Sequence, residues 1–215
     1  MLTPTRMSPG DRIARRSLLA GGAAGAVRLA MPRPAAAAPV AGEGAPLDLG
    51  WLTPGCDRVL VVLAAARGTT TAVMTAWQRD AAQGWRRALG PWPVRVGGEG
   101  FAAPGTKREG DRRSPTGVFP LPFAFGSGPR PDGLRVPWRP LAMPFAVWVD
   151  DPRSRYYNEL VDTRHIPRGA AGASNPLRTY TLAAAVGYNA RRTPGLGSAI
   201  FLHADRATRP WAAWV

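Results

Sequence analysis

Cysteine is nearly absent from this chain of 215 residues, and Cys56 is the only one. A single thiol excludes an internal disulfide framework. It lies in "TPGCDR", a turn-like stretch with no histidine near it in sequence, and reads as an incidental loop thiol rather than a nucleophile. Lysine is as scarce: Lys107 stands alone among 28 cationic residues, the rest being arginine. Histidine occurs twice, as His165 in "DTRHIPRG" and His203 in "SAIFLH". Two histidines with no Cys or Glu at ligand spacing leave no support for a metal centre, and no cofactor is expected. Long apolar runs are missing too. The most apolar N-terminal stretch is short and interrupted by Arg28, too little for a stable membrane-spanning helix. Prolines interrupt nearly every longer segment, which excludes long helices.

Several features are present in the order an export signal requires. Arg15 and Arg16 precede "SLLAGGAAGAV", and the run Ala35 to Ala38 offers a small-residue cleavage site. Residues 1–38 are therefore expected to be a removable signal of the twin-arginine type, and the protein to work outside the cytoplasm. Losing the six arginines and one aspartate of residues 1–38 lowers the formal charge from +14 to +9. The remaining arginines are scattered among turns, with no concentrated basic helix. No RNP, zinc or helix-turn-helix pattern accompanies them, so nucleic acid is not an expected partner. An anionic cell envelope is a more natural neighbour for an exported basic protein, and scattered solvated charge with no specific partner is a more natural reading still.

Residues 39–56, rich in Pro, Gly and Ala, read as a linker, and residues 57–215 as one domain. "RVLVVLAA" (58–65) is a continuous β-branched and leucine run. "TTTAVMTAWQ", "GWRRALGPWPVRVG", "GVFPLPFAF" (117–125), "FAVWVDD" (145–151), "TYTLAAAVGYN" (179–189) and "SAIFLH" (198–203) follow, separated by turn residues. That cadence predicts a mainly β fold with long connecting loops.

Three segments carry candidate chemistry. In "GFAAPGTKREGDRRSPTGVFPL" (100–121), Lys107 sits among Arg108, Glu109, Asp111, Arg112 and Arg113, and "SPTG" fits a type I turn. Such a loop suits a zwitterionic peptide, Lys107 taking a carboxylate and Glu109 an ammonium. It equally suits a solvated loop of internal ion pairs. In "WVDDPRSRYYNELV" (148–161), Asp150 and Asp151 are adjacent, so on a strand they face opposite ways, and Asp151 before Pro152 reads as a turn initiator. Third, alternation puts Ala199, Phe201 and His203 on one face of a strand that delivers His203 to the mouth of a cleft.

Taken in order, "GPWPVRVGGEGFAAPGTKREGDRRSPTGVF", "WVDDPRSRYYNELV", "VGYN" and "GLGSAIFLH" resemble the bacterial L,D-transpeptidase catalytic domain, the YkuD-like family, in its exported branch. The resemblance spans roughly residues 58–210. It implies a β-sandwich catalytic fold and peptidoglycan stem peptides as partners. It also implies acyl transfer through a cysteine thioester, with the histidine matching His203 as general base. In that branch a Pro-Thr-x-Gly-Cys-Val type motif follows the histidine. Here Pro210 is present, but Trp211 stands at the Thr position, Ala213 at the Gly and Trp214 at the Cys. Arg112 stands where the branch commonly has glycine. The domain is accordingly expected to be incomplete at its C-terminus, with an open sheet edge near Trp211 and Trp214, and inactive. Three origins fit: a shifted reading frame after Pro210, a natural non-catalytic homologue that binds wall peptide, or replacement of the nucleophile by Cys56.

Overall fold

The structure, a computed structural model, describes Leu49, residues 55–82 and 84–204, and the backbone of Ala213 and Trp214. The expected export signal, most of the linker, Pro210 and Trp211 lie outside the described residues.

The chain is mainly β. The β-branched run forms β1 (Arg58–Leu63), followed by β2 (Thr71–Asp80) and β3 (Gly84–Arg95), an antiparallel meander. The hairpin between β2 and β3 closes where the Asp80 carboxylate accepts the Ala82 amide at 2.9 Å and Gly84 takes a φ of +74°, a conformation glycine adopts without strain. Then come β4 (Ala124–Gly126), β5 (Trp138–Pro140), β6 (Ala146–Val149) and β7 (Leu160–Asp162). A single 3-10 turn, Thr163–His165, follows, capped by the Asp162 carboxylate accepting the Arg164 amide. The rest is β8 (Ser174–Pro176), β9 (Ala183–Ala185), β10 (Phe201–Ala204) and β11 (Ala213–Trp214). No helix among the described residues is long and apolar enough to cross a membrane.

Two sheets result. One has eight strands in the order β1-β2-β3-β11-β10-β9-β4-β5; the other has three, β7-β6-β8. Trp148 of β6 ties them together. Its ring lies 4.8 Å from that of Phe201 on β10 and 6.2 Å from those of Phe123 and Phe125. Leu141, Ala146, Leu177, Ala183 and Ala185 complete this buried cluster. Each buried aromatic contributes on the order of 2–3 kcal/mol from removing apolar area from water. Edge-to-face pairing adds about 1 kcal/mol per pair. Trp148 thus outweighs any single hydrogen bond between the sheets.

The expected open edge near position 214 is not what forms. β11 sits inside the large sheet, between β3 and β10, and the outermost strands are β1 and β5. The turn expected over Ser114–Gly117 is also replaced. Ser114 forms a parallel bridge with Phe101, its amide donating to the Gly100 carbonyl at 2.9 Å, while the Thr116 hydroxyl donates to Ala102 O at 2.6 Å. Long-range pairing back onto residues 100–102 thus wins over the local turn preference of a Pro-Thr-Gly segment.

Candidate functional site

His203 comes first, because one row of strand pairing runs through it. It opposes Ala183 on β9 and Trp214 on β11; Trp214 opposes Arg95 on β3; Arg95 opposes Thr71 on β2. The residue at the position aligned with a cysteine is therefore the direct cross-strand neighbour of the histidine. Tyr180 seats the imidazole: its ring lies edge-on to it at 5.0 Å and also packs on Phe201 at 5.6 Å. His203 Nδ1 is 3.3 Å from the Ala204 carbonyl. A carbonyl only accepts, so Nδ1 carries the proton of that bond.

A second, denser polar assembly forms at the other end of β10. Four segments meet there: 107–111, 156–158, 187–189 and 195–199. The Lys107 side chain points inward and the residue is only 6% exposed. Its ammonium donates to Asp111 Oδ1 and to the Arg108 carbonyl, each at 2.7 Å. Burial alone raises the Asp111 pKa, but the Lys107 bond and the amides of Arg108 and Arg113 outweigh it and hold the carboxyl below its usual range. Gly197, at φ +113°, leaves room for this lysine; a Cβ there would lie 3.1 Å from Nζ and 3.3 Å from the Tyr188 ring.

Glu109 accepts a short hydrogen bond from the Tyr157 hydroxyl, and its amide donates to the Gly195 carbonyl at 2.9 Å. The same hydroxyl accepts the Gly197 amide at 3.1 Å. Burial first, and the Glu109 carboxylate second, push the Tyr157 phenol up to about 12. Asn158 joins the Trp148 side chain to the backbone of two loop segments. Its Oδ1 accepts Trp148 Nε1 at 2.9 Å and the Ala199 amide at 3.2 Å; its Nδ2 donates to the carbonyls of Tyr188 and Asn189.

The structure therefore brings Lys107 and Glu109 together, but not with His203. Ile200 and His203 are three residues apart along extended chain, roughly 10 Å, and the polar assembly lies beyond Ile200. Lys107 and Glu109 make the internal pairs that the sequence left open as an alternative. Tyr157, Asn158, Tyr188 and Asn189, not singled out above, are the residues that hold this corner. Their signal was the recurrence of Tyr-Asn in "RYYN" and "VGYN".

The adjacent aspartates separate in role. Asp151 Oδ1 accepts the Arg153 amide at 2.9 Å, the turn initiator expected, and the paired Arg153 side chain lowers its pKa to about 2. Asp150 Oδ1 is buried with no hydrogen-bond partner among the described residues. Burial raises its pKa, and the nearby Glu109 charge raises it further. An acid with a raised folded pKa binds its proton more tightly when folded, so stability falls as pH climbs through the unfolded carboxylate range, about 4. Asp150→Asn should therefore raise the urea midpoint at about pH 7 and leave it unchanged at about pH 3, where both side chains are neutral. A variant less stable than the parent at the higher pH would contradict this.

The remaining candidates sit apart. His165 is exposed, 3.6 Å from Asp162. Cys56 is exposed and precedes β1, at the sheet edge. Four strand spacings separate β1 from β10, and the pairing Arg58–Gln78 lies seven residues along β2 from Thr71 in the His203 row, roughly 23 Å. A pocket of about 290 Å³ lined by Ile166, Pro167, Arg168 and Ala171 contains none of these residues. No group of three His, Cys, Asp or Glu among the described residues is arranged to hold a metal ion. Compared with family models, curated proteins and solved structures, the chain has no significant match.

Proposed function

We propose that this chain is an L,D-transpeptidase-like protein of the cell envelope, built on the YkuD-like sandwich and directed at peptidoglycan stem peptides, and that it is inactive for want of its nucleophile. The observation that carries the reading is the register of β10 and β11, which sets position 214 directly opposite His203. In the family's chemistry a thiolate at that position attacks a stem-peptide carbonyl, and the base beside it takes the thiol proton. The thioester then passes the acyl group to an amine or to water. The Nδ1 contact with the Ala204 carbonyl would help to orient the ring for such a role. Trp214 supplies indole instead, which is no nucleophile.

Two further features support the resemblance. Its four segments, far apart in sequence, meet around Lys107, Tyr157 and Asn158. Arg112, standing where the family pattern has glycine, takes a φ of +58°, a left-handed backbone that glycine tolerates and arginine resists.

Carbapenem incubation followed by intact mass tests the claim of inactivity. An active thiol opens the lactam: its sulfur bonds to the carbonyl carbon, the ring C–N bond breaks, and the nitrogen takes the proton. The expected spectrum of the native chain shows no added drug mass. An adduct that disappears in Cys56→Ser would return the nucleophile's role to Cys56 and refute this reading. The other reading, a non-catalytic wall-binding module, rests on the same face without requiring chemistry. Retention on purified peptidoglycan that survives added salt would favour it.

A further inference from the structure

The β1–β3 meander has two faces, and its strand pairing fixes which residues share each. Residues directly opposite in a sheet lie on one face, as do alternate residues of a strand. On one face Val61 and Trp77 are buried in a cluster with Leu49. The other face is packed at one end, where Phe101 lies against Ala72, Val94 and Val96. Toward the hairpin between β2 and β3 that cover stops. The row Leu60–Ala76–Leu89 crosses the three strands there, with Leu60 40% and Leu89 58% exposed. The next row toward the turn is Arg58–Gln78–Arg86.

Leucine and arginine on one bare face ask for different surroundings. Leu60 and Leu89, two strands and so about 10 Å apart, hold apolar surface in water although this end of the meander packs its core on the opposite side. Arg58 and Arg86 are exposed and make no hydrogen bond or ion pair through their side chains among the described residues. Residues 57–96 carry six arginines against two aspartates, and one of the two, Asp80, is held by the Ala82 amide in the hairpin turn. The opposite face offers a contrast. Its exposed row, Leu63–Val73–Pro93, borders Arg95, which is engaged elsewhere.

A dissolved polyanion would neutralise the arginines and leave the leucines in water. A bilayer with anionic headgroups takes both. The leucines enter the acyl boundary, while the arginine stems lie along them and keep each guanidinium at the level of the phosphates. We infer that the hairpin half of this face, Leu60 and Leu89 with Arg58 and Arg86, is a peripheral docking surface for an anionic lipid bilayer. Two leucines and two charges make a shallow, reversible contact, not an insertion. The inference stands independently of the wall-peptide reading.

The test follows the full chain on phosphatidylglycerol vesicles, with phosphatidylcholine vesicles as the neutral counterpart. Residues 1–38, with six arginines, travel with the chain, so an environment-sensitive dye locates the contact. It is attached at Leu89→Cys, or at Val73→Cys on the opposite face, each in a Cys56→Ser background. We expect emission at position 89 to shift to the blue on phosphatidylglycerol and not on phosphatidylcholine, and emission at position 73 to stay unchanged. Arg58→Gln with Arg86→Gln should raise the lipid concentration for half the shift at least about tenfold, as the loss of two charges near an anionic surface requires. No shift at position 89, an equal shift at both positions, or a shift undiminished by the double substitution overturns the inference. An equal shift on dissolved polyphosphate reassigns the face to an anionic polymer and overturns the lipid contact. A native chain that fails to sediment with phosphatidylglycerol vesicles overturns it with no variant to fold.

Discussion

Asn158→Ala should destabilise the fold by about 4 kcal/mol in urea denaturation. The amide is the cross-brace of the corner where four segments meet. Its Oδ1 is the hydrogen-bond partner of Trp148 Nε1, and the Trp148 side chain is a main contact between the two sheets. Truncation leaves that indole N–H and the Ala199 amide, both part-buried, without this acceptor, at about 1–3 kcal/mol for each such group. The carbonyls of Tyr188 and Asn189 lose a donor as well. Asn158 also holds a φ of +57°, which asparagine tolerates and alanine resists by about 1 kcal/mol. Asn158→Gly separates the terms: it relieves the backbone and keeps the lost bonds, so it should retain most of the damage. A loss below about 1 kcal/mol in both variants would mean that this corner does not hold the sheets together.

The parts of the fold legible in the sequence are those where local pattern and tertiary need agree. The apolar run at 58–65 and the two long segments after it became β1, β2 and β3 close to the expected places. "GVFPLPFAF" shrank to Ala124–Gly126, because Pro120 and Pro122 have no N–H to give a ladder. The strand expected over 198–203 begins only at Phe201, since Ala199 takes a φ of +54° and breaks the alternation, although Phe201 and His203 do share a face. Lys107 shows a different limit. Nothing in a run of mixed charges says which one turns inward; that is decided by Gly197, ninety residues later, which leaves room for it. The position of β11 was equally hidden. Two residues entering between β3 and β10, parallel to one and antiparallel to the other, depend on contacts that no local pattern encodes.

Of the candidate residues, the place of His203 on a strand was legible from the alternation of its segment, and position 214 was singled out only through the resemblance. Lys107 and Glu109 were readable as unusual but not as internal. A charged loop that binds itself and one that binds a ligand have the same composition, and only the partners at 2.7 Å distinguish them.

The second large effect concerns position 214. A cysteine there would lie across one strand spacing, about 4.8 Å, from His203. Imidazole beside a thiol favours the thiolate and takes its proton, which raises reactivity at neutral pH over that of an exposed loop thiol such as Cys56. General-base assistance of this kind is worth about 10²–10⁴ in rate. The most direct measurement is the rate of carbapenem acylation, by intact mass, of Trp214→Cys in a Cys56→Ser background, with and without His203→Ala. The account predicts one drug mass added at position 214, at a rate that falls at least about a hundredfold when the histidine is removed. A thiol at 214 that stays unmodified, or is acylated at the same rate without His203, would contradict it.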